Sequence, residues 1–181
     1  MNATDSLIIQ PLLAEDAPLY LEHIRRHLLE SNRTEGYFMP HDPGNVHGPR
    51  VIDTEKLSLP VTTPGWQRWW VVKDGSPERI VGHVDPQGDR LNTGLHRCEL
   101  GIGIERDYRG QGLGLRLMHA ALDFARRTPS LHWVELKVFA SNTRAIALYE
   151  SLGFTRVGLV PDRFRIQGQA IDDIIMILNV S

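Results

Sequence analysis

The sequence predicts an α/β domain in which helices cover both faces of a mixed sheet, and three observations carry that prediction. Short β-type runs alternate with amphipathic segments along the chain. One run, Arg97 to Ile104, alternates apolar residues with charged or small ones, and a glycine-rich hexapeptide, Arg109-Gly110-Gln111-Gly112-Leu113-Gly114, comes soon after it. That hexapeptide opens a segment with Leu113, Leu117 and Leu122 at helical spacing. At 181 residues and 41% hydrophobic content, residues 1–181 are expected to form one domain with an ordinary core.

The elements follow in order. Leu7 to Leu13 reads as a first strand, and Leu21, Ile24 and Leu28 mark a helix between about Asp16 and Leu29. Over residues 32–65 the periodicity gives way to Gly, Pro, His and Asp, interrupted by a short helical pattern around Thr54 to Leu59. A stretch this irregular inside a compact domain reads as a functional surface loop. Trp69 to Val72 and Ile80 to Val84 are β-type runs joined by the polar turn Lys73-Asp74-Gly75-Ser76-Pro77, which predicts a hairpin. In the strand from Arg97, residues Cys98, Leu100, Ile102 and Ile104 share one face, and Arg97, Glu99, Gly101 and Gly103 the other. Glycines on that second face open it to a ligand or mark a bulge; both put a gap beside Glu99. The next helix ends before Pro129, and Trp133 to Val138 is a further strand. Ser141-Asn142 can cap a helix that Gly153 stops after Leu152, and Phe154 to Val160 and Ile171 to Val180 supply the closing strands.

Composition narrows the function classes. The formal charge of -2 comes from 22 acidic and 20 basic residues scattered through the chain, with no run that would track a phosphate backbone, so nucleic acid is not an expected partner. Cys98 is the only cysteine, which forbids an internal disulfide and suits a reducing compartment. Met1 to Asp5 lacks the basic and apolar regions of a signal peptide, and no apolar run approaches a membrane span; a cytoplasmic protein with no membrane partner is the expectation. His41, Asp42 and His47 lie close together, yet the chain has no His-Glu-x-x-His and no closed Cys/His spacing, so no metal site is expected.

The hexapeptide carries the chemistry. Backbone N–H groups are exposed where a loop enters a helix, and three glycines let phosphate oxygens reach them without obstruction by a Cβ. The spacing is not Gly-x-Gly-x-x-Gly, and no Lys-Ser/Thr pair follows as in a P-loop, so a dinucleotide or nucleoside triphosphate is not the expected ligand. Arg-x-x-Gly-x-Gly after a strand resembles the acetyl-coenzyme A loop of the GCN5-related N-acetyltransferase (GNAT) family. The order strand, loop, helix, strand from Trp133, Asn142 helix, Tyr149 and Leu152-Gly153-Phe154 is similar to the core of that family over about the C-terminal half, and more weakly over the first strand and helix. The resemblance implies a mixed, mostly antiparallel central sheet with helices on both faces. It also implies a V-shaped opening that admits the pantetheine arm, and acetyl-CoA as cosubstrate.

Amide formation from a thioester needs a neutral amine, a polarised carbonyl and a proton for the departing thiolate. On the resemblance, Glu99 matches a position used for a general base; its other role would be a surface ion pair, with Arg97 for instance. Tyr149 matches a position that often protonates the thiolate, and a core aromatic is the alternative. Ile102, Gly103 and Ile104 are candidates to supply a backbone N–H to the thioester, and Arg109, Gly110, Gln111, Gly112, Leu113 and Gly114 to hold the diphosphate. Asn142 is expected on the coenzyme and equally as a helix cap. Cys98 reads as a core thiol, since it belongs to the apolar phase of its strand. The irregular loop, with Glu35, Tyr37, Asp42 and Asp53, is placed by the resemblance to shape an acceptor pocket, and one of Trp66, Trp69 and Trp70, taken as Trp70, could wall it. The expected activity is transfer of an acetyl group from acetyl-CoA to a primary amine by direct attack in a ternary complex. The amine belongs to a small molecule or a protein N-terminus, and a homodimer is left open. The alternative is a catalytically silent acyl-CoA sensor or interaction module that keeps the clamp.

Overall fold

A computed structural model describes residues 7–31, 36–42, 52–75 and 78–181. Its strands are β1 (Leu7–Pro11), β2 (Trp70–Gly75), β3 (Glu78–Val84), β4 (Gln87–Gly88), β5 (Arg97–Glu99), β6 (Ile102–Ile104), β7 (Trp133–Phe139), β8 (Thr155–Ile166) and β9 (Gln169–Asn179). The helices are α1 (Ala17–Leu29), α2 (Leu113–Arg126) and α3 (Thr143–Ser151), and Thr54–Leu57 forms a short 3-10 turn where a helical pattern was expected. Strands β1-β2-β3-β6 make one antiparallel sheet, and β4-β5-β7-β9-β8 make a second in which only β5 and β7 run parallel. The sheet is thus mixed and mostly antiparallel.

Alternation along the β2–β3 hairpin seats a helix on each face. Val71 and Ile80 point to one side and pack with Tyr20, Ile24 and Leu28 of α1, while Val72, Val81 and Val84 point to the other and join Leu117, Ala121 and Leu122 of α2. Six residues of the α2 stripe are buried, and each large one contributes about 1.5–3 kcal/mol, so this face fixes the helix that the glycine-rich hexapeptide opens. The three clustered tryptophans serve this interior. Trp66 is fully buried against Phe124, Trp70 packs on the same Phe124, and Trp69 lies against Tyr20 on the α1 side.

The single strand expected over Arg97 to Ile104 is two strands in two sheets. Leu100 N–H still donates to Glu135 O on β7 at 2.9 Å, but Gly101 turns to β3, donating to Asp85 Oδ1 at 2.6 Å and accepting from Asp85 N–H at 3.1 Å. A Cβ on Gly101 would stand 2.8 Å from that Oδ1, so the crossing favours glycine. The closing hairpin is longer than the apolar runs suggested. Beyond Val160 the register breaks around Asp162 (φ 49) and Arg163, and pairing resumes from Phe164 to a tight turn where Gln167 (φ 49) and Gly168 (φ 79) are both left-handed.

Candidate active site

The change of sheet at Gly101 opens the molecule. Gly101 and Glu105 spend their backbone bonds on β3, the latter through Glu105 N–H to Val81 O at 2.9 Å, so by antiparallel alternation Ile102 and Ile104 turn theirs the other way. There β7 pairs with β9 and not with β6, and a cleft of about 880 Å³ fills the gap. Ile102, Gly103 and Ile104 all line it, with the free edge of Ile102 presented like an unpaired strand edge to an extended ligand.

One end of the cleft is the start of α2. Gly110 (φ +80) and Gly112 (φ +75) are left-handed, and a Cβ on Gly112 would meet no atom within 4 Å, so the space in front of the helix amides is open. Gly112 O accepts from Arg116 N–H at 3.1 Å, which leaves the N–H groups of Leu113, Gly114 and Leu115 without acceptors in their own helix. Gly114 has a different reason to be small: its Cβ would press Leu148 of α3 at 3.3 Å. Asn142 lines the cleft and caps α3, its Oδ1 accepting from Ala145 N–H at 3.2 Å. Arg109 lines the cleft with its side chain already engaged: its Nε donates to Ile104 O at 2.8 Å, its guanidinium pairs with Glu30 at 2.5 Å, and it covers the Phe38 ring at 5.0 Å. It braces the exit of β6. Gln111 turns back to donate to Asp107 O at 3.2 Å and does not line the cleft. Arg144, which sequence reasoning passed over, stands 3.6 Å from where a Gly110 Cβ would be and lines the same end.

The other end is acidic. Asp85, Asp173, Lys137 and Tyr149 line it together. Asp85 is partly buried at the end of β3, and desolvation pushes its carboxyl up to about 6, against the Gly101 N–H that favours the charged form. Burial likewise raises Asp173, and Lys137 works against it. Burial and then the charge of Asp85 raise the Tyr149 phenol far above its ordinary value, so it keeps its proton throughout the working range. Glu99 is 45% exposed, lines a neighbouring hollow rather than the cleft, and accepts from Lys137 Nζ at 2.7 Å. Its partner is Lys137, with Arg97 pairing instead to Glu135 at 3.9 Å. Cys98 is 3% exposed and burial pushes its thiol up to about 12, the opposite of an activated nucleophile.

Of the residues expected to shape the acceptor pocket, Tyr37 lines the cleft, its hydroxyl donating to Gln167 Oε1 at 2.8 Å. Asp42 is exposed outside the lining and accepts from Gln167 N–H at 2.7 Å, so it ties the loop to the β8–β9 turn. Trp70 faces Phe124 of the core and does not line the cleft, because strand alternation on β2 points it at α2. Asp53 pairs with Lys56 at 3.0 Å, and Glu35 and His47 lie outside the described residues. Phe38 and Met39 join the lining in their place, held by N–H bonds to Ser31 Oγ at 3.2 and 3.3 Å. No group of His, Cys, Asp and Glu suited to a metal ion occurs among the described residues. Beneath the cleft runs a buried polar chain that sequence reasoning missed: Glu105 Oε1 lies 2.9 Å from His23 Nδ1, and His23 Nε2 lies 2.8 Å from His83 Nδ1. Its members are too far apart in sequence for any motif to reveal.

No described helix is long and apolar enough to cross a membrane. Residues 36–154 match the family described as "Acetyltransferase (GNAT) family". The chain is 26% identical over 159 residues to the N-acetyltransferase YycN of Bacillus subtilis, covering 86% of this chain and 96% of that one. It is 45% identical over 67 residues to the N-alpha-acetyltransferase RimI of Mycobacterium tuberculosis, covering 37% and 40% of the two chains. Its fold superposes on a GNAT-family acetyltransferase from Streptococcus pneumoniae with TM-score 0.83 at 23% identity over 97% and 99% of the chains. It also superposes on the acetyltransferase yncA of Salmonella typhimurium, solved with acetyl-CoA, with TM-score 0.73 at 19% identity over 97% and 94%. With an open glycine-rich helix start, a splayed strand edge and this family match on one chain, the protein belongs to the GNAT family of acetyltransferases and is an N-acetyltransferase that uses acetyl-CoA as its cosubstrate.

Proposed function

We propose that the acceptor is a primary amine, carried by a small molecule or a protein N-terminus, which enters the acidic end of the cleft as an ammonium and gives its proton to Asp85. The observation that carries this is the Asp85 carboxylate itself, lining the cleft, oriented by the Gly101 N–H at 2.6 Å and raised by desolvation to about 6. A base is most effective when its pKa lies near the working pH, and Asp85 meets that condition while still ionised at neutrality. Asp173 adds negative potential that attracts the cation. Glu99 holds the Lys137 ammonium, which lines the cleft.

Acetyl-CoA supplies an activated acetyl thioester when bound, and the residues present fit it: an open helix start with no Cβ in the way, and a free strand edge leading from it. Gly112 to Gly114 would hold the diphosphate, with Arg144 rather than Arg109 as the nearby cation. The Ile102 backbone would align the thioester, and the protonated Tyr149 hydroxyl would donate to the leaving sulfur. Direct attack by the amine is supported by Cys98, whose burial removes it as an acyl carrier.

The test is release of free coenzyme A thiol from acetyl-CoA with two acceptors, spermidine and a peptide bearing a free N-terminal alanine, each product identified by mass. Amide product with either acceptor supports the proposal and tells which source of amine is used. Transfer to a hydroxyl or thiol acceptor in preference to every amine would overturn it.

A further inference from the structure

The chain Glu105, His23, His83 has a direction, and it ends at the cleft. Glu105 accepts from Arg26 and from Arg79; burial alone would raise its carboxyl, but the hydrogen bond from His23 and the charges around it bring it below the usual range. An ionised carboxylate can only accept, so His23 must present Nδ1–H to it at 2.9 Å. Burial first, and then the charges of His27 and Arg26, lower His23 in spite of Glu105, so the ring is neutral and its Nε2 carries a lone pair. His83 must then donate from Nδ1 at 2.8 Å. Burial, and after it the neighbouring His23 and His27, keep His83 neutral in turn. Its Nδ1 is spent, so Nε2 is the nitrogen His83 has left for the cleft it lines.

Its position is next to the reaction. A Cβ on Gly103 would fall 2.5 Å from His83 Cε1 and 2.6 Å from His27 Nε2, so both rings lie against the β6 backbone that borders the thioester site. Among the described residues, charged and aromatic groups from several elements face the pair. Arg26 and the stacked His27, 5.7 Å from His23, come from α1; Arg79 comes from β3; Glu105 follows β6; the Tyr20 ring closes the edge at 5.4 Å from His83.

We propose that this buried chain locks His83 in its Nδ1–H tautomer, so that Nε2 is a fixed hydrogen-bond acceptor which receives an N–H of the incoming amine and positions it. The proposal rests on the amine reading above. Either an ammonium or a neutral amine can donate to such a nitrogen, whereas an Nε2–H or an imidazolium would repel the cation. His83 is a positioning residue, and Asp85 takes the proton.

The lock is tested on the free protein by long-range proton–nitrogen correlation of ¹⁵N-labelled histidines from pH 5.5 to 8. The expected spectrum has His83 with a protonated Nδ1 and an unprotonated Nε2 throughout; a protonated Nε2, as tautomer or imidazolium, overturns the proposal. The contact is tested by titrating the coenzyme A-saturated protein with propylamine. A saturable shift of the His83 Nε2 resonance supports it, and an unmoved resonance at tens of millimolar overturns it. His83→Asn keeps an N–H near Nδ1 and deletes Nε2, so with an active acceptor the amine KM should rise about tenfold while the acetyl-CoA KM stays put. A fall in kcat alone, or equal change in both KM values, would mean a structural role. If no amine is acetylated yet propylamine moves His83, the amine function fails and the contact stands.

Discussion

Asp85→Asn should make this protein slower and more stable at once. The folded carboxyl is pushed from 3.8 up to about 6, so native Asp85 holds its proton more tightly than the unfolded chain does. A raised carboxyl contributes stability that is fully present below the unfolded value and is lost as pH rises through about 6. At pH 7.5 the ionised group therefore costs about 3 kcal/mol by linkage, reduced to about 1–2 kcal/mol because the side chain is only partly shielded from water. Asn cannot ionise and can still accept from the Gly101 N–H. The variant should melt about 3–6 °C above the parent at pH 7.5 and close to it at pH 4. Loss of the base should lower amine acetylation by about 10²–10⁴-fold at pH 7.5 and abolish the decline in rate that the parent shows below pH 6. The assay pairs thermal melts with a thiol-release pH profile at saturating acetyl-CoA. Glu99→Gln, run beside it, breaks an exposed pair with Lys137 and should cost at most about 1 kcal/mol, leaving the pH slope in place. A Glu99→Gln profile that goes flat while Asp85→Asn keeps its slope would refute the assignment and return the proton to Glu99. So would an Asp85→Asn variant that is destabilised with unchanged turnover.

Three further outcomes follow from the geometry. Gly112→Val should weaken acetyl-CoA binding at least tenfold by calorimetry, since it fills the open space before the helix amides, and its left-handed φ of +75 should cost a further 1–2 kcal/mol or so in a melt; unchanged affinity in the folded variant would remove the clamp. Tyr149→Phe should lower kcat by about 10–10²-fold at every pH between 6 and 9, because burial keeps the phenol protonated across that range, with little change in coenzyme affinity; an effect that appears only at high pH would mean a different role. Gly103→Ala would drive a methyl to within 2.5 Å of His83 Cε1 and should lower stability by about 1–3 kcal/mol, read as a drop in Tm; a melt identical to the parent would show that the two histidine rings are free to move.

The sequence by itself determined what is local in this protein. Helix start, strand alternation and the α3 cap depend on neighbours within a few positions, so the Gly110 to Gly114 segment, the α2 stripe and Asn142 were legible from spacing alone. The place of Tyr149 came from its matching position in the family motif; in the structure it both lines the cleft and packs in the core cluster, so the fold gives it the surroundings of either reading. Trp70 and Asp42 show the limit. An aromatic cluster and a loop carboxylate look alike whether they face a pocket or not, and only the packing of Trp70 on Phe124 and the bond from Gln167 to Asp42 decide it. Arg109 beside the glycines was legible as a cation but not as one already held by Glu30, 79 positions away. Only the tertiary structure divided the strand at Gly101, because the bond that turns it goes to Asp85, just past the end of β3 and 16 positions earlier. The same fold brought His23, His83 and Glu105 into line across separations of 60 and 82 residues. Proton affinity follows the same division, since the shift of Asp85 arises from burial by distant segments: residue type sets the ordinary pKa, and the folded surroundings set the working one.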